Sequence, residues 1–119
     1  MTPSKRATPE ELELLYRTLA AQTDTQVIAA LLEDMCTIRE INEMAQRLTL
    51  AKYLAAERSY NSISEETGAS ATTIARVSKA LHYGKGGYKI ALEQEKQEKQ
   101  EEEREADSRQ RKNTKSKDG

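Results

Sequence analysis

No proline or glycine falls between residues 10 and 67. A stretch that long, free of both chain breakers and without polar–apolar alternation of period two, folds as helices joined by short polar turns. The starts of those helices are written in the sequence. Thr8 is placed to cap a first helix, with Pro9 at its first position and Glu11 at the capping-box position. Leu12, Leu15, Tyr16 and Leu19 then recur at helical spacing. Asp24 or Thr25 can open a second helix whose apolar face is Val27, Ile28, Leu31, Leu32 and Met35. Thr37 and Glu40 form another capping box, and Ile41, Met44, Ala45, Leu48, Ala51 and Ala55 make the stripe of a third helix running to about Glu57.

The breakers return in an informative order. Ser59–Thr67 reads as a short helix that Gly68 stops, with Gly68-Ala69-Ser70 as a turn. Ser70 can cap a longer helix, Ala71–His82, with Ile74, Val77 and Leu81 inward and Gly84 at its end. Gly84-Lys85-Gly86-Gly87 is a turn or hinge, and Tyr88, Ile90, Ala91 and Leu92 start a last short helix. From Glu93 onward the residues are almost all charged or polar, so the tail has no face to bury. The reading is a flexible terminus over 1–7, a helical domain over 8–92, and a charged tail over 93–119, helical to about residue 106 and then disordered.

Residues 59–82 have the pattern of a helix-turn-helix. At about 100° per residue, Ile74, Val77 and Leu81 cluster on one side of the second helix. Thr72, Ala75, Arg76, Lys79 and Tyr83 fall opposite. Small side chains let a helix approach base edges, Thr can read a base, and cations hold phosphates. Double-stranded DNA is therefore the expected partner. Thr72, Ala75, Arg76 and Lys79 face the groove, with Ser70, Ala71 and Thr73 from the first turn of that helix. Tyr60 and Lys85 are candidate phosphate contacts at its margins.

The formal net charge of -1 conceals a segregation that agrees with this. Residues 1–36 carry three basic and six acidic side chains, residues 37–92 eight and five, and residues 93–119 eight and nine. Between Ala69 and Leu92 there are four cations and no carboxylate. A local positive surface matters more to phosphate binding than the total.

Three groups of residues resemble the Trp repressor superfamily. They are Leu31-Leu32 with Met35, Cys36 and Thr37, then Gln46-Arg47-Leu48, then Gly68-Ala69-Ser70-Ala71-Thr72-Thr73-Ile74-Ala75-Arg76. The continuation Leu81-His82-Tyr83-Gly84-Lys85-Gly86-Gly87-Tyr88 is similar to the YerC/YecD branch. The resemblance spans roughly residues 8–92. It implies an all-α fold, an intertwined helical homodimer with two recognition helices, and a bacterial regulator of transcription on a palindromic operator. It also implies an effector pocket at Thr37, Arg47 and Arg76, which in the repressor holds free tryptophan. Val77 stands where the repressor has glycine, and its branched side chain occupies ligand space or core, so tryptophan is not expected as the effector. No cofactor is expected.

Other functions find little support in the residues. One His and one Cys cannot supply a structural zinc site, and Cys36 reads as a buried, inert thiol. There is no nucleophile with a base, no phosphate loop and no apolar carboxylate pair, so no enzyme is expected. No apolar run approaches a membrane span, and a cytoplasmic protein is expected. Sparse aromatics argue against RNA. With no Phe or Trp the core must be small, which favours a dimer. The alternative function is a dimeric protein-interaction module that displays the charged tail.

Overall fold

The computed structural model describes residues 5–117, and side chains to residue 113; the ends of the predicted flexible terminus and tail lie outside that range. All the described secondary structure is α-helical: α1 (Pro9–Ala20), α2 (Thr25–Met35), α3 (Ile38–Ala55), α4 (Tyr60–Thr67), α5 (Ala71–Tyr83) and α6 (Gly87–Lys117). The chain divides into two compact units, Met1–Met44 and Ala45–Gly119.

In the first unit the caps form as the sequence requires. The Thr8 hydroxyl accepts the Glu11 N–H at 3.1 Å, and the Glu11 carboxylate accepts the Thr8 N–H at 3.3 Å. Asp24 rather than Thr25 opens α2, accepting the Gln26 N–H at 2.9 Å. Yet neither α1 nor α2 buries a residue. Leu14 is 68% exposed and Ile38 is 77% exposed, and Tyr16, Val27 and Met35 are also exposed. Cys36 is half-buried at the end of α2, not fully enclosed as its apolar surroundings in the sequence suggested.

The second unit holds the core. Leu50, Ala51 and Leu54 from α3, Ile63 from α4, Ala69 from the turn, and Ile74, Val77 and Leu81 from α5 are buried together. Tyr53, Tyr88 and Leu92 pack against them. The predicted stripe of α3 is corrected here. Leu50 and Leu54 lie about 120° around the helix from Met44 and Leu48, and of the buried α3 residues only Ala51 belongs to the predicted stripe. Leu48 remains 47% exposed. The helix thus carries two apolar faces, and this chain alone buries one.

α3 stops without a glycine. Glu57 takes a left-handed φ of 61°, the Arg58 N–H reaches the Tyr53 carbonyl at 3.2 Å, and the Glu57 N–H reaches that of Leu54 at 3.0 Å. These are the two hydrogen bonds of a Schellman motif, with Glu where glycine is usual. Beyond it, Arg58 fastens α4 to α3. Its guanidinium sits 4.3 Å from the Tyr53 ring centroid, pairs with Glu66 and donates to Ser62 at 2.7 Å. The Tyr53 hydroxyl also donates to Glu66 at 3.2 Å. The Arg58 guanidinium holds the Glu66 carboxyl below its ordinary value of 4.5.

α6 differs most from expectation. The predicted short helix is one continuous helix to Lys117, about 46 Å long at the usual rise, and passes residue 106 unbroken. Pairs at i,i+4 support it where no apolar face exists, Glu105 with Arg109 and Asp107 with Arg111.

Glu57→Gly removes the left-handed strain and is expected to raise unfolding free energy by about 1 kcal/mol in urea. Gly68→Ala, at φ 75°, is expected to lower it by about 1–2 kcal/mol. A carboxyl NMR titration should find Glu66 protonating below 4.5, and Arg58→Gln should return it toward that value. Because the folded carboxyl is depressed, its stabilisation is complete above the unfolded value and lost as pH falls through the folded one. Arg58→Gln should shrink that acid-induced loss.

Candidate DNA interface

The turn between α4 and α5 is fixed by hydroxyls as well as by Gly68. The Gly68 N–H donates to the Ser64 carbonyl at 2.8 Å. The Ser64 hydroxyl donates to the Ala69 carbonyl at 2.9 Å, and the Thr67 hydroxyl accepts the Ala69 N–H at 3.2 Å. Ala69 is buried beneath the crossing, where a larger residue would push the helices apart. Ile63, Ile74 and Val77 meet in the core as their spacing required. At the far end, a Cβ on Gly84 would overlap the Ala80 carbonyl oxygen, so only glycine ends α5 in this way.

This packing decides which face of α5 is open. Thr72, Ala75, Arg76 and Lys79 are all exposed, within about 100° of one another around the helix. Neither Arg76 nor Lys79 has an ion-pair partner among the described residues. Tyr83 continues the same face at 86% exposed. The face is a positive, sterically low strip on a helix clamped from behind.

The remaining candidates divide by what their side chains already do. The Ser70 hydroxyl accepts the Thr73 N–H at 3.2 Å and lies 3.0 Å from the Thr73 hydroxyl, so both are occupied in capping α5. Ala71 is exposed in the first turn. Tyr60 is exposed at the start of α4, and Lys85 is exposed just after α5. His82 belongs to the helix end, its Nδ1–H donating to the Ser78 carbonyl at 2.8 Å.

The implied effector residues are similarly engaged or open. The Thr37 hydroxyl accepts the Glu40 N–H at 3.1 Å, and its own N–H donates to the Glu40 carboxylate at 2.9 Å. That backbone hydrogen bond holds the Glu40 carboxyl below its ordinary range. Arg47 is exposed, and Glu43, its neighbour at i-4, pairs instead with Arg39 at 3.3 Å. Arg76 is exposed on the strip already described. Val77 is 3% exposed and belongs to the core.

The Arg58–Tyr53–Glu66 cluster, which orients α4, escaped the sequence reading. Its members lie on different helices across a turn, so no helical spacing announces them.

Residues 10–96 match the family described as Trp repressor protein. The uncharacterized protein YerC of Bacillus subtilis (strain 168) is 39% identical over 88 residues, which cover 74% of this chain and 85% of YerC. The solved structure of a TrpR-like protein from Eubacterium eligens ATCC 27750 matches with a TM-score of 0.68 at 39% identity, over 71% of this chain and 88% of that one. A Staphylococcus aureus chain, described in its crystal structure as a candidate Trp repressor, matches with a TM-score of 0.71 at 29% identity, over 75% of this chain and 89% of that one. An all-α chain with this turn and these relatives belongs to the Trp repressor family, in its YerC-like branch.

Proposed function

We propose that the protein is a homodimeric, sequence-specific regulator of transcription that lays α5 into the major groove of double-stranded DNA. The carrying observation is the unpaired, exposed strip Thr72, Ala75, Arg76 and Lys79 on a helix locked against its own core. Thr72 and Ala75 are short enough to let the backbone near base edges, and Arg76 and Lys79 reach bases or flanking phosphates. Tyr60 and Lys85 add phosphate contacts on either side. Ser70 and Thr73 act through the cap, which orients the first α5 N–H groups toward the duplex.

Dimerisation is supported by unburied apolar surface. α1 and α2 bury nothing within the chain, and α3 presents a second apolar face through Met44 and Leu48. Exposed apolar area of that extent marks an association surface. A two-fold partner covers it and duplicates α5, so the two recognition helices enter successive major grooves about 34 Å apart. The operator is then palindromic.

Sedimentation should give a dimer at micromolar concentration, and Leu48→Glu should shift it toward monomer. Selection from a random duplex pool should yield a palindromic consensus. Arg76→Ala and Lys79→Ala should each weaken binding and lower the salt slope by about one unit per lost phosphate contact. Binding should survive truncation after Leu92. A pool that fails to enrich at low salt would falsify the reading and favour the interaction module.

A further inference from the structure

α6 carries its charge in two blocks. Residues 93–107 hold eight acids and three cations. Residues 108–117 hold five cations, Arg109, Arg111, Lys112, Lys115 and Lys117, and no acid. Interleaving the two signs would have given the helix more pairs at i,i+4. The blocks instead set like charges on neighbouring turns, Glu98 with Glu102, Glu101 with Glu105, and Arg111 with Lys115, an arrangement that weakens a helix. The macrodipole favours cations only in the last turn, so it accounts for Lys115 and Lys117 but not for Arg109, Arg111 or Lys112. The segregation as a whole is not explained by the stability of α6.

The fold does not use these residues either. α6 packs on the core through Tyr88 and Leu92, and beyond Leu92 its one apolar residue is Ala106. Every side chain from Glu93 to Asn113 is exposed. A second copy that covers α1, α2 and α3 finds nothing apolar here to bury. Arg109 pairs with Glu105 at 3.5 Å and Arg111 with Asp107 at 3.4 Å, which joins the two blocks where they meet. Lys112 has no ion-pair partner among the described residues. No acid stands three or four residues from Lys112 or Lys117.

We infer that the basic end of α6 makes a second contact with duplex DNA, to backbone phosphates outside the groove that α5 enters. The identity of the partner rests on the DNA reading of α5. From Leu92 the helix rises about 24 Å to Ser108 and about 38 Å to Lys117. A major groove is about 12 Å wide, so the end of α6 meets other phosphates than those flanking α5. The acidic block between them is repelled by the duplex and holds the shaft off it. Its centre lies about 18 Å back along the helix from Lys112, more than two screening lengths of about 8 Å, so it does not cancel the charge at the end. Residues 107–117 contain no apolar or aromatic side chain, so they have nothing to insert into a bilayer.

Fluorescence anisotropy of the full chain tests this on two duplexes of about 40 base pairs, one with the selected consensus at its centre and one scrambled. Lys112→Gln/Lys115→Gln/Lys117→Gln should lower the salt slope by about two to three units per chain on both, and weaken both about tenfold at low salt. The consensus recovered by selection should not change, because phosphate contacts carry no sequence. Lys96→Gln/Lys99→Gln/Arg104→Gln removes as much charge from the acidic block and should leave the slope as it was. Gln sustains helices, so circular dichroism should be unchanged in both variants. An unmoved slope in the first variant, or an equal fall in both, overturns the inference. So does loss of the dimer in sedimentation on the first substitution, which assigns these lysines to a second copy. Failure of the α5 reading is separate. Arg76→Ala/Lys79→Ala would then leave both duplexes bound as before, while the lysine substitutions still decide this contact. A chain that binds neither duplex at low salt overturns both.

Discussion

α3 must satisfy two apolar faces, and the rest of the molecule follows from how it does so. One face, Leu50, Ala51 and Leu54, receives Ile63, Ile74, Val77 and Leu81. The other, including Met44 and Leu48, stays partly open to solvent. Burying a Leu or Met side chain is worth about 1.5–3 kcal/mol. Several left open together are a substantial unspent driving force. A core of eight residues among those described would be small for a freestanding domain, and small cores commonly recruit a second chain. The helix that anchors the helix-turn-helix is thus also the helix with open apolar surface. In the proposed dimer, coupling the two in one element would hold the two copies of α5 at a fixed spacing.

The motif itself is rigid for reasons that add up locally. Gly68 turns the chain, Ser64 and Thr67 satisfy the turn's backbone groups, and Ala69 permits close crossing. Arg58 adds a second fastening from the other end of α4, stacked on Tyr53 and paired with Glu66. The proposed reading of base edges by α5 would benefit from such fixing. The entropy of ordering it has been met during folding rather than at binding.

Much of this was legible in the sequence because capping chemistry is local. Thr8, Thr37, Ser59 and Ser70 each start a helix through the hydroxyl that the sequence offers. The helix-turn-helix was legible for the same reason, since Gly68 and the Ile74–Val77–Leu81 spacing fix its turn and its inner face. Three features were not. Periodicity reads one stripe per helix, so Leu50 and Leu54 hid behind the stronger Met44–Leu48 stripe. Glu57 stops α3 in a conformation that only glycine or asparagine would have advertised. The length of α6 rests on charge pairs at i,i+4 rather than on a buried face, and an apolar pattern cannot report it. The site residues follow the same division. The exposed strip on α5 was inferred from angular position and the Ser70 cap from its place before the helix, whereas the engagement of Thr73 with that cap needed coordinates.

The net charge of -1 raises an electrostatic objection to a phosphate-binding protein, and the geometry answers it. Charges act through distance, and at physiological salt the screening length is about 8 Å. α6 is a straight rod, and from Leu92 to Asp107 it extends about 22 Å at 1.5 Å per residue. Most of the acids between those residues therefore lie more than one screening length out along α6 from the end packed against the core. They cannot cancel the field of Arg76 and Lys79, which have no carboxylate partner of their own. Where the chain does pair its cations, as with Arg39 and Glu43 or Arg109 and Glu105, it uses the neighbouring turn of the same helix. Acids at such positions on α5 would have been equally available to the sequence. Leaving them out keeps Arg76 and Lys79 free for an external anion, and it costs the fold little, because an exposed i,i+4 pair contributes only about 0.3–0.5 kcal/mol.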